Sequence, residues 1–127
     1  MRYNLLLIEG SAPSLNGASV SALSEEGFEV ATCSDPLMVL VKLGELKPDL
    51  IMLGEGLPVD SFEACYRLRR AVDVPILMLG SIPRADGWVK AIKSGADCYL
   101  EKPVSCSALI ARMKSILRRC EWDLEQG

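Results

Sequence analysis

Histidine is absent from all 127 residues. Without an imidazole there is no Ser-His or Cys-His nucleophile pair, no His-based general acid–base step, and no usual catalytic zinc site. A histidine phosphocarrier is excluded for the same reason. The five cysteines (Cys33, Cys65, Cys98, Cys106, Cys120) are odd in number and lack CxxC spacing. A disulfide framework or metal site is therefore not expected, and a reducing, cytoplasmic setting is the simpler reading. No apolar run approaches the roughly 18 residues of a membrane span. The stretch Met1–Glu9 enters an apolar strand without the cleavage region of a secretory signal. A net charge of −3 leaves no basic footprint for nucleic acid or an anionic membrane, so DNA contact would need a separate domain. No nucleophile, base and oxyanion set can be assembled, so neither enzymatic turnover nor a cofactor is expected.

What is present is the composition of one globular domain, 50% apolar and 24% charged. Five short apolar runs recur at Tyr3–Ile8, Phe28–Cys33, Leu50–Leu53, Pro75–Leu79 and Cys98–Leu100. Four are nearly continuous, as in parallel strands covered on both faces. The second alternates, with Phe28, Val30 and Ala31 read as inward and Glu29 as outward, which suggests a place nearer an edge. Helices are predicted between them. Ser14–Glu26 stops at Gly27. Asp35–Lys47 opens on an Asp35 cap with Pro36 at the first turn, and Asp60–Arg70 opens on the Asp60/Glu63 capping spacing. Arg84–Ser94 stops at Gly95, and Ser105–Glu121 carries an apolar stripe through Leu109, Met113, Ile116, Leu117 and Cys120. Repeated strand–helix alternation predicts an α/β, doubly wound parallel sheet. Right-handed crossovers place functional groups at the strand carboxyl ends, at Glu9–Gly10, Gly54–Gly56, Gly80–Ser81 and Glu101–Lys102. The domain is expected to span 1–121, with 122–127 a tail or the start of a linker.

LLLIE (Leu5–Glu9), KPDLIML (Lys47–Leu53), Leu57–Pro58, VPILML (Val74–Leu79), SGADCYLEKP (Ser94–Pro103) and LIARMKSILRR (Leu109–Arg119) together resemble the receiver domain of bacterial response regulators. The resemblance covers essentially Met1 to Arg119. It implies a flavodoxin-like fold with strand order 2-1-3-4-5. It also implies a pocket built from two acids after the first strand, a phosphoacceptor Asp after the third, a Thr or Ser after the fourth and a Lys after the fifth. Mg²⁺ and the Lys then neutralise the transferred phosphoryl group.

This sequence departs from most of that pattern. Glu9 is followed by Gly10, so one acid is missing. Gly54 stands at the phosphoacceptor position and Gly80 at the hydroxyl position. Lys102 survives, and Tyr99 keeps the aromatic switch position. Phosphorylation by the usual route is expected to be blocked and Mg²⁺ binding weak. Glu55 and Ser81 adjoin the missing groups, but neighbouring residues at a strand end point in different directions. Lys102 is expected to pair with Glu9 or Glu55, and Tyr99 to be a packing residue.

The resemblance further implies a homodimer through the face of the fourth helix, fifth strand and fifth helix, using Lys90, Asp97 and Arg112. Lys93, Cys98 and Ala108 depart from that ionic pattern. Asp97 with Arg112 is the expected pair, set against an ordinary solvated charge pattern. On the second helix Leu37, Met38 and Val41 group on one face, either as a partner surface or as core. Cys65, Cys120 and Cys33 read as small core hydrophobes. The functional expectation is an atypical, phosphorylation-independent receiver acting in two-component signal transduction as a dimerisation or protein-interaction module for a transcriptional output domain. Two alternatives stand beside it. One is a rebuilt phosphate-accepting switch using Glu9, Glu55, Ser81 or Lys102, and the other a thiol redox sensor through Cys106, at a helix start where the dipole favours thiolate.

Overall fold

Alternation with period two sends successive strand residues to opposite sides of a sheet, and this sheet buries both sides. The computed structural model describes residues 2–10 and 17–126. Its elements run β1 (Tyr3–Ile8), α1 (Gly17–Glu25), β2 (Phe28–Cys33), α2 (Pro36–Leu46), β3 (Leu50–Leu53), α3 (Ser61–Ala71), β4 (Ile76–Gly80), α4 (Arg84–Ser94), β5 (Cys98–Glu101) and α5 (Cys106–Gln126). The strands are parallel in the order β2-β1-β3-β4-β5. On one side Leu5, Leu7, Leu50, Met52, Leu77 and Leu79 meet Leu23 of α1 and Leu109, Met113 and Leu117 of α5. On the other, Leu6, Ile8, Ile51, Leu53, Ile76 and Met78 meet Val39, Ala64, Leu68 and Ala91 of α2, α3 and α4. Among the described residues, no helix is long and apolar enough to cross a membrane.

The predicted elements are all present, with informative differences at their ends. The Ser14–Asn16 start expected for the first helix lies outside the described residues. The last helix continues to Gln126, because nothing from Cys120 onward breaks a helix. In β2, an edge strand paired only with β1, Phe28 is buried and Val30 half-buried, while Ala31 is exposed and not inward. Ala31 shares parity with Glu29 and lines an open cavity with Glu45, Leu46 and Pro48. Cys65 is buried as expected, and desolvation pushes its thiol up to about 11. Cys33 and Cys120 are only half-buried.

The start of α3 is capped as its spacing predicts: the Asp60 carboxylate accepts from the Glu63 N–H at 3.1 Å. Gly95 ends α4 in a left-handed conformation, φ 101°, that side chains rarely adopt. At that end Arg69 of α3 donates to the Gly95 carbonyl, the Val74 carbonyl and Asp97 Oδ2, each at 2.9 Å. Asp97 Oδ2 also accepts from the Ile76 N–H at 2.8 Å, which joins the starts of β4 and β5. Asp97→Ala is expected to lose about 1–3 kcal/mol of folding stability, because it strips a backbone donor and a guanidinium of their acceptor. Urea unfolding of the monomer, with an unchanged denaturant slope, checks this.

Candidate functional site

The carboxyl ends of β1, β3, β4 and β5 converge at one end of the sheet. Backbone bonds continue past the strands there: Gly54 N–H donates to the Ile8 carbonyl at 2.8 Å, Gly10 N–H to the Glu55 carbonyl at 2.9 Å, and Lys102 N–H to the Gly80 carbonyl at 2.8 Å. The Ser61 hydroxyl donates to the Gly54 carbonyl at 2.9 Å, tying the start of α3 to the end of β3. Gly54 is buried and brings no side chain to the pocket.

Glu55, Ser81 and Lys102 come together. Lys102 Nζ lies 2.8 Å from Glu55 Oε1. The Ser81 hydroxyl donates to Oε1 at 2.7 Å, and the Ser81 N–H donates to Oε2 at 3.1 Å. Glu55 is one of the two partners expected for Lys102. Both Glu55 and Ser81 lie past the last residues of their strands, where strict alternation no longer dictates direction. That is why the expectation that these neighbours would point elsewhere does not hold for them.

Desolvation is the largest single influence on the Glu55 carboxyl and pushes its pKa up. Hydrogen bonds from Lys102 and Ser81, with the Lys102 charge, together outweigh it and leave the group below its ordinary 4.5.

Each remaining glycine of the pocket faces a neighbour that takes up its space. A Cβ on Gly10 would stand 1.7 Å from the Gly56 carbonyl oxygen, so no second acid fits there without moving the β3–α3 loop. A Cβ on Gly80 would meet the Tyr99 hydroxyl at 2.6 Å, and one on Gly87 of α4 would meet the Tyr99 ring at 2.3 Å. Tyr99 is 1% exposed, and its hydroxyl donates to the Ile82 carbonyl at 2.7 Å. Burial, and then the Glu55 charge, raise its pKa. Sequence reasoning missed Gly87, although a glycine inside a helical pattern was the signal for a close approach.

An Mg²⁺ ion of the kind the resemblance implies needs several oxygen ligands in near-octahedral order. The residues do not fit it. The space at Gly10 is closed by a carbonyl, Gly54 has no carboxylate, and Glu55 is engaged by Lys102. Among the described residues no group of three or more His, Cys, Asp or Glu could hold a metal.

The residues expected at a dimer face do not meet one another within the chain. Asp97 is held by Arg69, Lys90 lies 5.9 Å from the centroid of the Phe62 ring, and Arg112 is exposed on α5. On α2, Met38 and Val41 are 45% and 78% exposed, whereas Val39 is buried. The Leu37 side chain lies outside the described residues. Cys106 is the first residue of α5 and is half-buried.

A model of the response regulator receiver domain matches residues 6–114. The chain belongs to that family. This receiver is 40% identical over 119 residues to the transcriptional regulatory protein AfsQ1 of Streptomyces coelicolor, covering 93% of this chain and 52% of that protein. It is 35% identical over 120 residues to the DNA-binding dual master transcriptional regulator RpaA of Synechocystis, covering 91% of this chain and 50% of that protein. The receiver therefore spans about half the length of these curated relatives. Among solved structures, the signal receiver domain of a putative Luxo repressor protein from Vibrio parahaemolyticus superposes with a TM-score of 0.82 at 23% identity, covering 100% of this chain and 99% of that one. That likeness concerns the fold.

Two outcomes are expected of the pocket. Gly87→Ala gains about 1 kcal/mol of helix propensity but drives a methyl into the Tyr99 ring, for a net loss of about 1–2 kcal/mol in urea unfolding. The depressed Glu55 carboxyl contributes stability that is complete above pH 4.5 and is lost as pH falls through its lower folded value. The gap in urea midpoint between wild type and Glu55→Gln should therefore stay constant from neutrality to pH 4.5 and close only below it.

Proposed function

We propose that this receiver is an atypical regulatory module that works without phosphorylation, as a dimerisation or protein-interaction domain for a transcriptional output carried elsewhere in a longer protein. The observation that carries the reading is that Gly54 offers no acceptor, while the lysine that would neutralise a phosphoryl group is bonded to Glu55 at 2.8 Å. The names of AfsQ1 and RpaA, each about twice the length matched, support an output in transcription, with which a cytoplasmic setting is consistent. DNA contact would belong to the output part, since the receiver itself carries a net charge of −3.

The dimer surface we assign is the face of α4, β5 and α5, with two-fold symmetry. Val89 and Ile92 of α4 are exposed beside Lys90 and supply apolar area. Asp97 takes both of its bonds on Oδ2, so Arg112 of a second copy would be met by Oδ1. Exposed Met38 and Val41 support a separate partner surface on α2.

Intact mass after incubation with Mg²⁺ and acetyl phosphate, with light scattering on the same samples, tests the reading. The expected result is no phosphate adduct and an unchanged dimer. Arg112→Ala removes the pair twice in a two-fold dimer and should weaken that dimer by about thirtyfold at most, as befits two exposed ion pairs each worth up to about 1 kcal/mol. A one-phosphate adduct, a dimer that forms only on treatment, or a strict monomer at high concentration overturns it.

A further inference from the structure

We infer that Ser81 and Lys102 form an oxyanion-binding site whose resident ligand is the chain's own Glu55 carboxylate, and that this internal ligand clamps the β4–α4 loop and sets where α4 begins. The inference rests on the reading above and deepens it, by naming what holds the pocket in place of a transferred group.

A backbone N–H, a hydroxyl and an ammonium converge on one carboxylate, at 3.1, 2.7 and 2.8 Å. They come from the ends of two strands, β4 and β5, while the carboxylate comes from the loop after a third, β3. With Glu55 gone, the same donors would face one another around an empty anion position. An exposed ion pair contributes little. Here the side chains are 25% and 34% exposed, and the bonds are charge-assisted, about twice as strong as neutral ones.

The loop under the clamp is held at three successive points. Glu55 takes the Ser81 N–H and hydroxyl, and Tyr99 donates to the Ile82 carbonyl. Glu101 Oε1 accepts from the N–H of Arg84, the first residue of α4, at 2.8 Å. The Gly87 N–H then closes the first turn on the Pro83 carbonyl at 3.0 Å. Tyr99 reaches Ile82 only because Gly80 and Gly87 leave room for its ring. Glu55 and Tyr99 thus grip adjacent residues of one loop, from β3 and β5. A shift of that loop would carry the start of α4, which belongs to the proposed dimer face.

Amide hydrogen exchange at Arg84 and Gly87, two amides that Glu55 does not touch, reads the clamp directly. In Glu55→Ala both amides should exchange about tenfold faster or more than in wild type, tenfold being the loss expected for one of the three charge-assisted bonds that Glu55 accepts. Inorganic phosphate should restore protection in a saturable way, whereas chloride at matched ionic strength should not. In Glu55→Ala/Lys102→Ala, phosphate should restore nothing. Should Glu55→Ala fail to fold, Glu55→Gln keeps the volume without the charge and should still speed exchange at both amides. Wild-type protection in the variant that folds, or lost protection in Glu55→Ala that phosphate leaves unrestored, overturns the inference. Failure of the parent reading is separately visible, as a phosphate adduct on the wild-type chain.

Discussion

The ion pair between Glu55 and Lys102, at 2.8 Å, is the contact around which the carboxyl end of the sheet is arranged. A lysine just past the end of edge strand β5, with its side chain only 25% exposed, cannot be left without an acceptor at small cost. The acceptor is supplied from the loop after β3, by a carboxylate one residue beyond the position that the resemblance gives to an aspartate. That displacement changes the chemistry available. A carboxylate bonded to an ammonium, a hydroxyl and a backbone N–H is stabilised as the anion, as the direction of its pKa shift records. Groups stabilised in this way are poor nucleophiles and good counter-ions.

The glycines around the pair are the complement of this arrangement. Gly10 faces the Gly56 carbonyl, and Gly80 and Gly87 face the Tyr99 ring. Removing an oxygen-bearing side chain from a strand end leaves a hole, and a hole at that place costs packing. In this receiver the space beside these glycines is occupied by a loop closing onto β1 and by an aromatic ring seated between β4 and α4. A side chain placed at Gly10, Gly80 or Gly87 would therefore collide with the neighbour that occupies the space.

The opposite end of the sheet answers to a different requirement. Arg69 spans the start of β4, the end of α4 and the start of β5 through carbonyls and Asp97. Asp97 in turn caps the first N–H of β4. A residue that the family resemblance points to as part of a dimer face is thereby also a structural tie within one chain. Its substitution reports on folding and on association at once, which makes Arg112 the cleaner probe of the dimer.

The sequence by itself determined the layers of this protein. Near-continuous apolar runs at Leu50–Leu53 and Ile76–Leu79 demand burial on both faces. Gly27 and Gly95 end helices because a left-handed residue is needed there, and the glycines at 10, 54 and 80 stand where the resemblance leads one to expect oxygen-bearing side chains. These are local properties, fixed by periodicity and backbone freedom. Tertiary structure alone decided that Lys102 pairs with Glu55, that Ser81 joins them, that Asp97 turns to Arg69, and that Ala31 faces solvent. The physical reason is common to all four. Beyond the last hydrogen-bonded residue of a strand, or on an edge strand, side-chain direction and exposure are set by neighbours brought close from distant parts of the chain, and no period in the sequence encodes them.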